Sequence, residues 1–347
     1  MTSVVLPDSV TEIGEHAFYY CYYLTDIKLP KELKSIAQWA FCECGNLTNV
    51  VLPEGLLYID DEAFRGCDRL ENVVLPDSLE SMGANPFLAC KNLNSFIISP
   101  DNRHFEAIDG MLITQKSKKL IFYPWHLEED FDRAIIVPDG VRVIGKRAFQ
   151  WIWNIPEITL PDSVTVIEDW AFSGISGLKH VNLNEGLIHI GESAFDSCKD
   201  LESISLPDSV NTIGAHAFLR CSAMVSAKLS CNLTDMGTSV FSCCEKLESI
   251  EWPASMTEIP SGTFESCSAL TNVILPDTLT KLGRAFDDCI SLTSLVLPDS
   301  LTEMEDRAFN GCTNLTLVIS RQSPAQLAFC TNRYNSGIKY IFNDSSK

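Results

Sequence analysis

Basic residues are scarce in this chain: 26 Lys and Arg face 46 Asp and Glu over 347 residues, for a formal charge of −20. Such a surface repels phosphate, so nucleic acid and anionic membrane surfaces are excluded as partners and neutral or basic soluble ones are favoured. No apolar run approaches the roughly 20 residues needed to cross a bilayer, and membrane insertion is not expected. The start, MTSVVLPDSV, lacks the basic flank, apolar stretch and small-residue cleavage site of a signal peptide, so either the protein is cytosolic or the natural chain begins elsewhere. Histidine is also rare. His16, His104, His126, His180, His189 and His216 show no H-E-x-x-H or other close metal spacing, and His16 and His216 fall at equivalent variable positions. G-x-S-x-G, phosphate-loop and dinucleotide fingerprints are missing too, so no enzyme, cofactor or metal is expected.

Cysteine, by contrast, is plentiful, with 14 residues. The stretch WAFCECGNL sets Cys42 and Cys44 close together, as a zinc or redox site would. Internal repetition decides what they are. Proline recurs at 7, 30, 53 and 76, then at 138, 161, 207, 253, 276 and 298, with Asn184 and Ser230 in the gaps, in steps of 23 and once 22. The unit reads L-x-x-[VI]-x-L-P-[DE]-[SG]-[VL]-x-x-I-x-x-x-A-F-x-x-C. Phenylalanine marks twelve copies: Phe18, Phe41, Phe64, Phe87, Phe149, Phe172, Phe195, Phe218, Phe241, Phe264, Phe286 and Phe309. The 62-residue step from Phe87 to Phe149 is one unit of 23 plus 39 further residues, so an insertion falls at 100 to 138.

Each unit has a physical reading. In LTDIKLP, Leu24, Ile27 and Leu29 give the L-x-x-L-x-L strand of a leucine-rich repeat, buried on one face. Proline, with no N–H to donate, ends the ladder, and Asp-Ser suits the turn that follows. The spacing of Ile13, Ala17, Phe18 and Cys21 predicts one short helical or 3₁₀ turn returning apolar groups to the strand. One unit cannot enclose a core; stacked units can.

Ten of the cysteines, Cys21, Cys44, Cys67, Cys90, Cys198, Cys221, Cys244, Cys267, Cys289 and Cys312, stand three residues after phenylalanine and form a ladder. Ile152 and Ile175 take that place in two units, and isoleucine neither ligates metal nor forms a disulfide. Coils stacked ~4.8 Å apart also exceed the ~3.8 Å Cβ separation that a disulfide prefers. The ladder therefore predicts buried free thiols acting as small apolar fillers, with Cys42, Cys231, Cys243 and Cys330 incidental. The recurrent Asp8, Asp77, Asp139, Asp162, Asp208, Asp277 and Asp299 read as turn residues: Lys31 replaces one member and no glycine-rich calcium motif accompanies them.

The segments LPDSVTEIGEHAFYYC and LPDSVNTIGAHAF resemble the BspA-like leucine-rich repeats of bacterial surface and secreted proteins, nearly throughout the chain. The inserted IDGMLITQKSKKLIFYP and its return, IIVPDGVRVIGKRAF, resemble a hairpin recurring in that family. The resemblance implies an α/β leucine-rich-repeat solenoid of about 12 repeats of 23 residues: a curved right-handed coil stack, a concave parallel β-sheet, and short helical or 3₁₀ turns on the convex side. It also implies no catalytic residues, and adhesion to host, matrix or other bacterial surface proteins from a secreted or cell-surface position. The expected organisation is one continuous solenoid: repeats over 1–99, a hairpin insertion over 100–137, repeats over 138–320, and a cap and tail over 321–347. An intracellular leucine-rich-repeat scaffold or effector is the alternative, and glycan binding through the aromatic insertion a weaker one.

Solenoids bind through their solvent-facing strand positions, which neighbouring repeats array as one surface. Those positions are aliphatic in Val51, Val74 and Ile97, and again in Ile274, Val296 and Ile319, while Thr159, Asn182, Ser205, Lys228 and Glu251 hold the middle. Aromatics crowd the insertion and the repeat after it: Phe122, Tyr123, Trp125, Phe131, Trp151, Trp153 and Trp170. With the basic tip of Lys116, Lys118 and Lys119, they make a candidate rim of the binding site, the competing reading being that they seal the junction. At the C-terminus Ser323 reads as an N-cap, Pro324 as the first helical residue and GIKYIF as a final strand. The SVVLP start leaves an uncapped edge, a possible contact surface.

Overall fold

The computed structural model describes residues 2–124, 134–319, 323–331 and 338–343. It contains two units, Met1–Arg133 with Pro138–Ile152, and Ala134–Val137 with Trp153–Lys347. Both are β-solenoids of the leucine-rich-repeat class.

In the first unit the strands Ser3–Val5, Asp26–Lys28 and Asn49–Val50 pair in parallel, Val4 to Ile27 to Val50, and Asn72–Leu75 pairs likewise with Ser95–Ile98. The partners stand 23 residues apart, so the sequence period is the length of one coil. These strands carry one side chain inward and the next outward: Ile27 is buried between exposed Asp26 and Lys28. The second unit repeats the scheme, with Ile204 opposite Ala227 and Ile250 opposite Val273.

The expected helical turn at Ile13 is a correction. Glu12–Ile13 is a second short strand, and it pairs in parallel with Ser35–Ile36, Tyr58–Ile59 and Ser81–Met82. Each coil thus crosses two parallel ladders. Gly191, Gly214 and Gly237 follow second-ladder strands where the coils come closest: a Cβ on Gly191 would lie 2.6 Å from Asp169 N. The only α-helix among the described residues is Pro324–Thr331.

The segment around phenylalanine is not helical either, although it closes on itself with isolated i to i+3 bonds. Cys21 N donates to Phe18 O at 3.1 Å and Leu24 N to Cys21 O at 2.9 Å. Alternate amides instead reach the next coil, as Phe18 N does to Ala40 O at 2.7 Å and Tyr20 N to Cys42 O at 2.9 Å. That alternation requires the residues two before and two after phenylalanine to turn left-handed. Trp39 (φ 55°), Glu43 (φ 61°), His216 (φ 59°) and Arg220 (φ 58°) do so without being glycine. Each such residue costs about 1–2 kcal/mol, and the lateral hydrogen bonds between coils offset it.

Behind these ladders the phenylalanine rings stack. Phe18, Phe41, Phe64 and Phe87 lie 5.0 to 5.3 Å apart, within 6° of parallel. Phe172, Phe195, Phe218, Phe241, Phe264, Phe286 and Phe309 continue the pattern in the second unit at 5.1 to 6.1 Å. Phe41, Phe64, Phe195 and Phe218 are fully buried, whereas Phe18 in the first coil is only partly so.

The inserted residues form three antiparallel strands, Phe105–Ile108, Met111–Thr114 and Lys119–Phe122, and the third also runs parallel to Val143–Ile144. The insertion therefore takes a place in the coil stack instead of only projecting from it. Phe105, Leu112, Leu120 and Phe122 are buried. At the C-terminus the Pro324–Thr331 helix begins at Ser323, whose Oγ accepts from Gln326 N at 3.4 Å. Phe329 of that helix meets Phe309 edge-on at 5.9 Å, and the strand Lys339–Phe342 pairs in parallel with Thr316–Ile319.

Candidate binding surface

The cysteine ladder carries no open site. Nine of its ten thiols, all but Cys21, lie 2.9 to 3.3 Å from the phenylalanine carbonyl of the preceding coil, from Cys44 on Phe18 O to Cys312 on Phe286 O. In eight of the nine, all but Phe172, that carbonyl also accepts the N–H of its own coil's cysteine, so both its lone pairs are used. Sequence reasoning missed this role, because a thiol donor and an apolar filler leave the same pattern. Burial pushes the thiols of Cys44 and Cys198 up to about 12 and that of Cys42 to about 11. They stay protonated at neutral pH and are poor nucleophiles. Cys67 and Cys221 are buried beside them, Cys21 is partly exposed, and Cys231 is the exposed thiol. No group of three His, Cys, Asp or Glu side chains among the described residues could hold a metal ion.

The outward positions of the first ladder make the more promising surface. Val51 is 77% exposed, Val74 51% and Ile97 55%, and Val74 stands directly opposite Ile97. Val5 extends the row toward the N-terminus, opposite Lys28. In the second unit, Ile274 and Val296 are exposed, but Ile319 is not: it is fully buried, and Val318 takes the outward place between Val296 and Ile341. The TLVI strand has no proline after it to mark its register, so the pairing is what shows which residue faces out. Earlier in the second unit the outward positions are polar. Ser205 stands opposite Lys228, and a groove of about 600 Å³ lies against Lys228, Asp208, Glu251 and Ile274.

Two of the aromatic candidates are corrected. Phe122 and Tyr123 are buried: Phe122 meets Phe96, which meets Phe87, each at 5.4 Å, and Tyr123 lies 4.9 Å from Phe149. They replace the phenylalanine stack where the insertion interrupts the period, so no ligand reaches them. Trp151 is 41% exposed, with the Arg65 guanidinium 4.9 Å over its ring. Arg65 and Arg147 both pair with Glu62, whose side chain is only 4% exposed, and Asn85 Nδ2 donates to Arg147 O at 2.8 Å. Trp151 is thus the lid of an internal ionic cluster as much as a surface ring. Trp153 is exposed, and Trp125 and Phe131 lie outside the described residues. At the strand tip, Lys118 pairs with Glu106 at 2.7 Å while Lys116 is exposed.

The two ladders, the stacked phenylalanines and the thiol rungs define a leucine-rich-repeat solenoid. The family model for the BspA type leucine rich repeat region matches residues 1–108, 133–248 and 234–328, and the chain belongs to that family. Solved structures share the fold. A leucine-rich repeat protein from Bacteroides ovatus is 24% identical, with a TM-score of 0.58 over 99% of this chain and 84% of that one. One from Eubacterium ventriosum is 21% identical, with a TM-score of 0.64 over 90% of this chain and 82% of the other. The pneumococcal vaccine antigen PcpA is 18% identical, with a TM-score of 0.58 over 99% and 79%. No curated protein matches. No helix among the described residues is long and apolar enough to cross a membrane.

Proposed function

We propose that the protein is a non-catalytic protein-binding module of the surface-adhesion type, recognising a host, matrix or bacterial surface protein through the outward row of the first ladder. The observation that carries this reading is the aliphatic stripe of Val51, Val74 and Ile97, more than half exposed on strands whose inward neighbours already fill the core. Contiguous exposed aliphatic residues on an otherwise highly charged surface gain from being covered. The family's bacterial surface members and the antigen among the structural neighbours support an extracellular setting.

The test pairs affinity capture with point variants. Immobilised protein is challenged with detergent-solubilised host and bacterial surface fractions, and each captured partner is rechallenged with Val51→Asp and Val74→Asp. Affinity falling tenfold or more at unchanged melting temperature supports the reading. Partners that bind both variants as well as the parent refute it, because neither residue then contributes to the interface.

A further inference from the structure

The two ladders end differently at the C-terminal side of the second unit. On the first, Lys339–Phe342 pairs with Thr316–Ile319 and supplies one more strand. On the second, the last strand is Glu303–Met304, paired on one side with Lys281–Leu282, and no strand follows it among the described residues. The repeat shows which of its backbone groups are left over. One coil earlier, Thr280 O accepts from Glu303 N at 3.0 Å and Leu282 O accepts from Glu305 N at 2.9 Å. Thr302 and Met304 occupy the same places in the last coil, so their carbonyls and the Met304 N–H face away from the stack. No described donor reaches either carbonyl.

This open edge is one wall of a groove of about 440 Å³, and Ala325, Ala328 and Phe329 of the Pro324–Thr331 helix form the other. The helix covers the end of the core through Phe329 but leaves the strand edge unpaired. Three carboxylates, Glu303, Glu305 and Asp306, line the groove, and all three residues are exposed; Glu305 Oε2 also accepts from Ser261 Oγ at 3.0 Å and from Arg284 N at 3.1 Å. Among the described residues its one cation, Lys281, is already engaged by Glu258 at 2.7 Å. A ready-made β template with a negative rim, in a chain of charge −20, selects a strand carrying positive charge.

We infer that the Glu303–Met304 edge, with its carboxylate rim and helical wall, is a second docking site that takes an extended basic peptide segment of a partner protein by strand addition. The peptide's alternate N–H groups donate to Thr302 O and Met304 O, one of its carbonyls accepts from Met304 N, and its Lys or Arg side chains lie against the carboxylates. The site is distinct from the aliphatic stripe, and each stands or falls without the other.

The probe is a fluorescent, end-blocked peptide of alternating lysine with threonine or valine, titrated into the intact chain at low salt and followed by anisotropy and by amide exchange. Binding is expected to protect the Met304 amide selectively. It is expected to weaken tenfold or more when glutamate replaces lysine in the peptide, or when its alternate amides are N-methylated. Ala328→Lys, which puts a cation and bulk on the exposed helix wall, is expected to weaken it as much at unchanged melting temperature. Equal binding of the N-methylated peptide would overturn strand addition, since charge alone would then explain the attraction. So would indifference to Ala328→Lys, or a dimer of the free chain that Ala328→Lys abolishes, because a second copy would then occupy the edge.

Discussion

Replacing Cys221 tests what the thiol ladder contributes. Its Sγ lies 3.3 Å from Phe195 O, and that oxygen also accepts Cys198 N at 3.2 Å. Removing the thiol donor therefore leaves the carbonyl with its stronger partner, and the weak S–H bond is worth a few tenths of a kcal/mol by comparison with the roughly 1 kcal/mol of an ordinary hydrogen bond. Removing the sulfur atom matters more. The side chain is fully buried beside rings stacked at 5.3 Å, so Cys221→Ala loses about one methylene's worth of burial, ~0.8 kcal/mol, plus a cavity term, for about 1.5–2.5 kcal/mol in all. Cys221→Val loses the donor and adds roughly one methyl group, which a ladder that holds Ile152 and Ile175 elsewhere can take up, and should cost less than about 1.5 kcal/mol. Cys221→Ser keeps a donor, but its shorter C–O bond holds the hydroxyl back from Phe195 O and its desolvation costs about 1–3 kcal/mol. The expected order of stability is parent, Val, then Ala and Ser. Urea unfolding followed by far-ultraviolet circular dichroism measures it as midpoint shifts at constant slope. Should Ser prove more stable than both Val and Ala, the hydrogen bond and not the filling of volume would be the reason for cysteine, and the presence of Ile152 and Ile175 on the ladder would need another account.

Two further outcomes follow from the same geometry. Because the folded thiols of Cys44 and Cys198 titrate near 12 rather than near their ordinary value of 9.0, the folded state holds protons that the unfolded chain releases above pH 9. Stability is then flat below about pH 9 and falls by about 1.4 kcal/mol per pH unit for each such thiol up to about pH 12; urea midpoints between pH 7 and 11 check it, and a rise or a plateau across that span would contradict it. At Arg220, whose φ is 58°, Arg220→Gly should be neutral or stabilising by up to about 1 kcal/mol, while Arg220→Val should lose about 1–2 kcal/mol. Melting temperatures of the pair decide it, and equal temperatures would mean the turn relaxes out of the left-handed region.

What the sequence makes legible is whatever the period repeats in residue identity. Phenylalanine and cysteine recur because each coil must present the same volume to its neighbours, and the first-ladder strand shows because Leu24, Ile27 and Leu29 alternate with polar residues. The outward row, Val51, Val74 and Ile97, is visible for the same reason. The second ladder is hidden, since a strand as short as Glu12–Ile13 leaves no alternation to read, and its isoleucine fits a helical spacing equally well. Left-handed turns are hidden because His16, Tyr20, Trp39 and Glu43 occupy them where glycine would have announced them. The aromatic insertion reads alike as interface or as filler; Phe122 and Tyr123 are filler because the missing phenylalanine rungs must be replaced from somewhere. The open edge at Met304 belongs to a different category, because it depends on which ladder receives the last strand. The Pro324–Thr331 helix closes the core beside Phe309, and among the described residues the strand that comes after it, Lys339–Phe342, pairs on the first ladder. A repeat array thus encodes its interior in every unit, whereas its unpaired surfaces are set by whatever ends the array, and function at an end must be sought in the cap and not in the repeat.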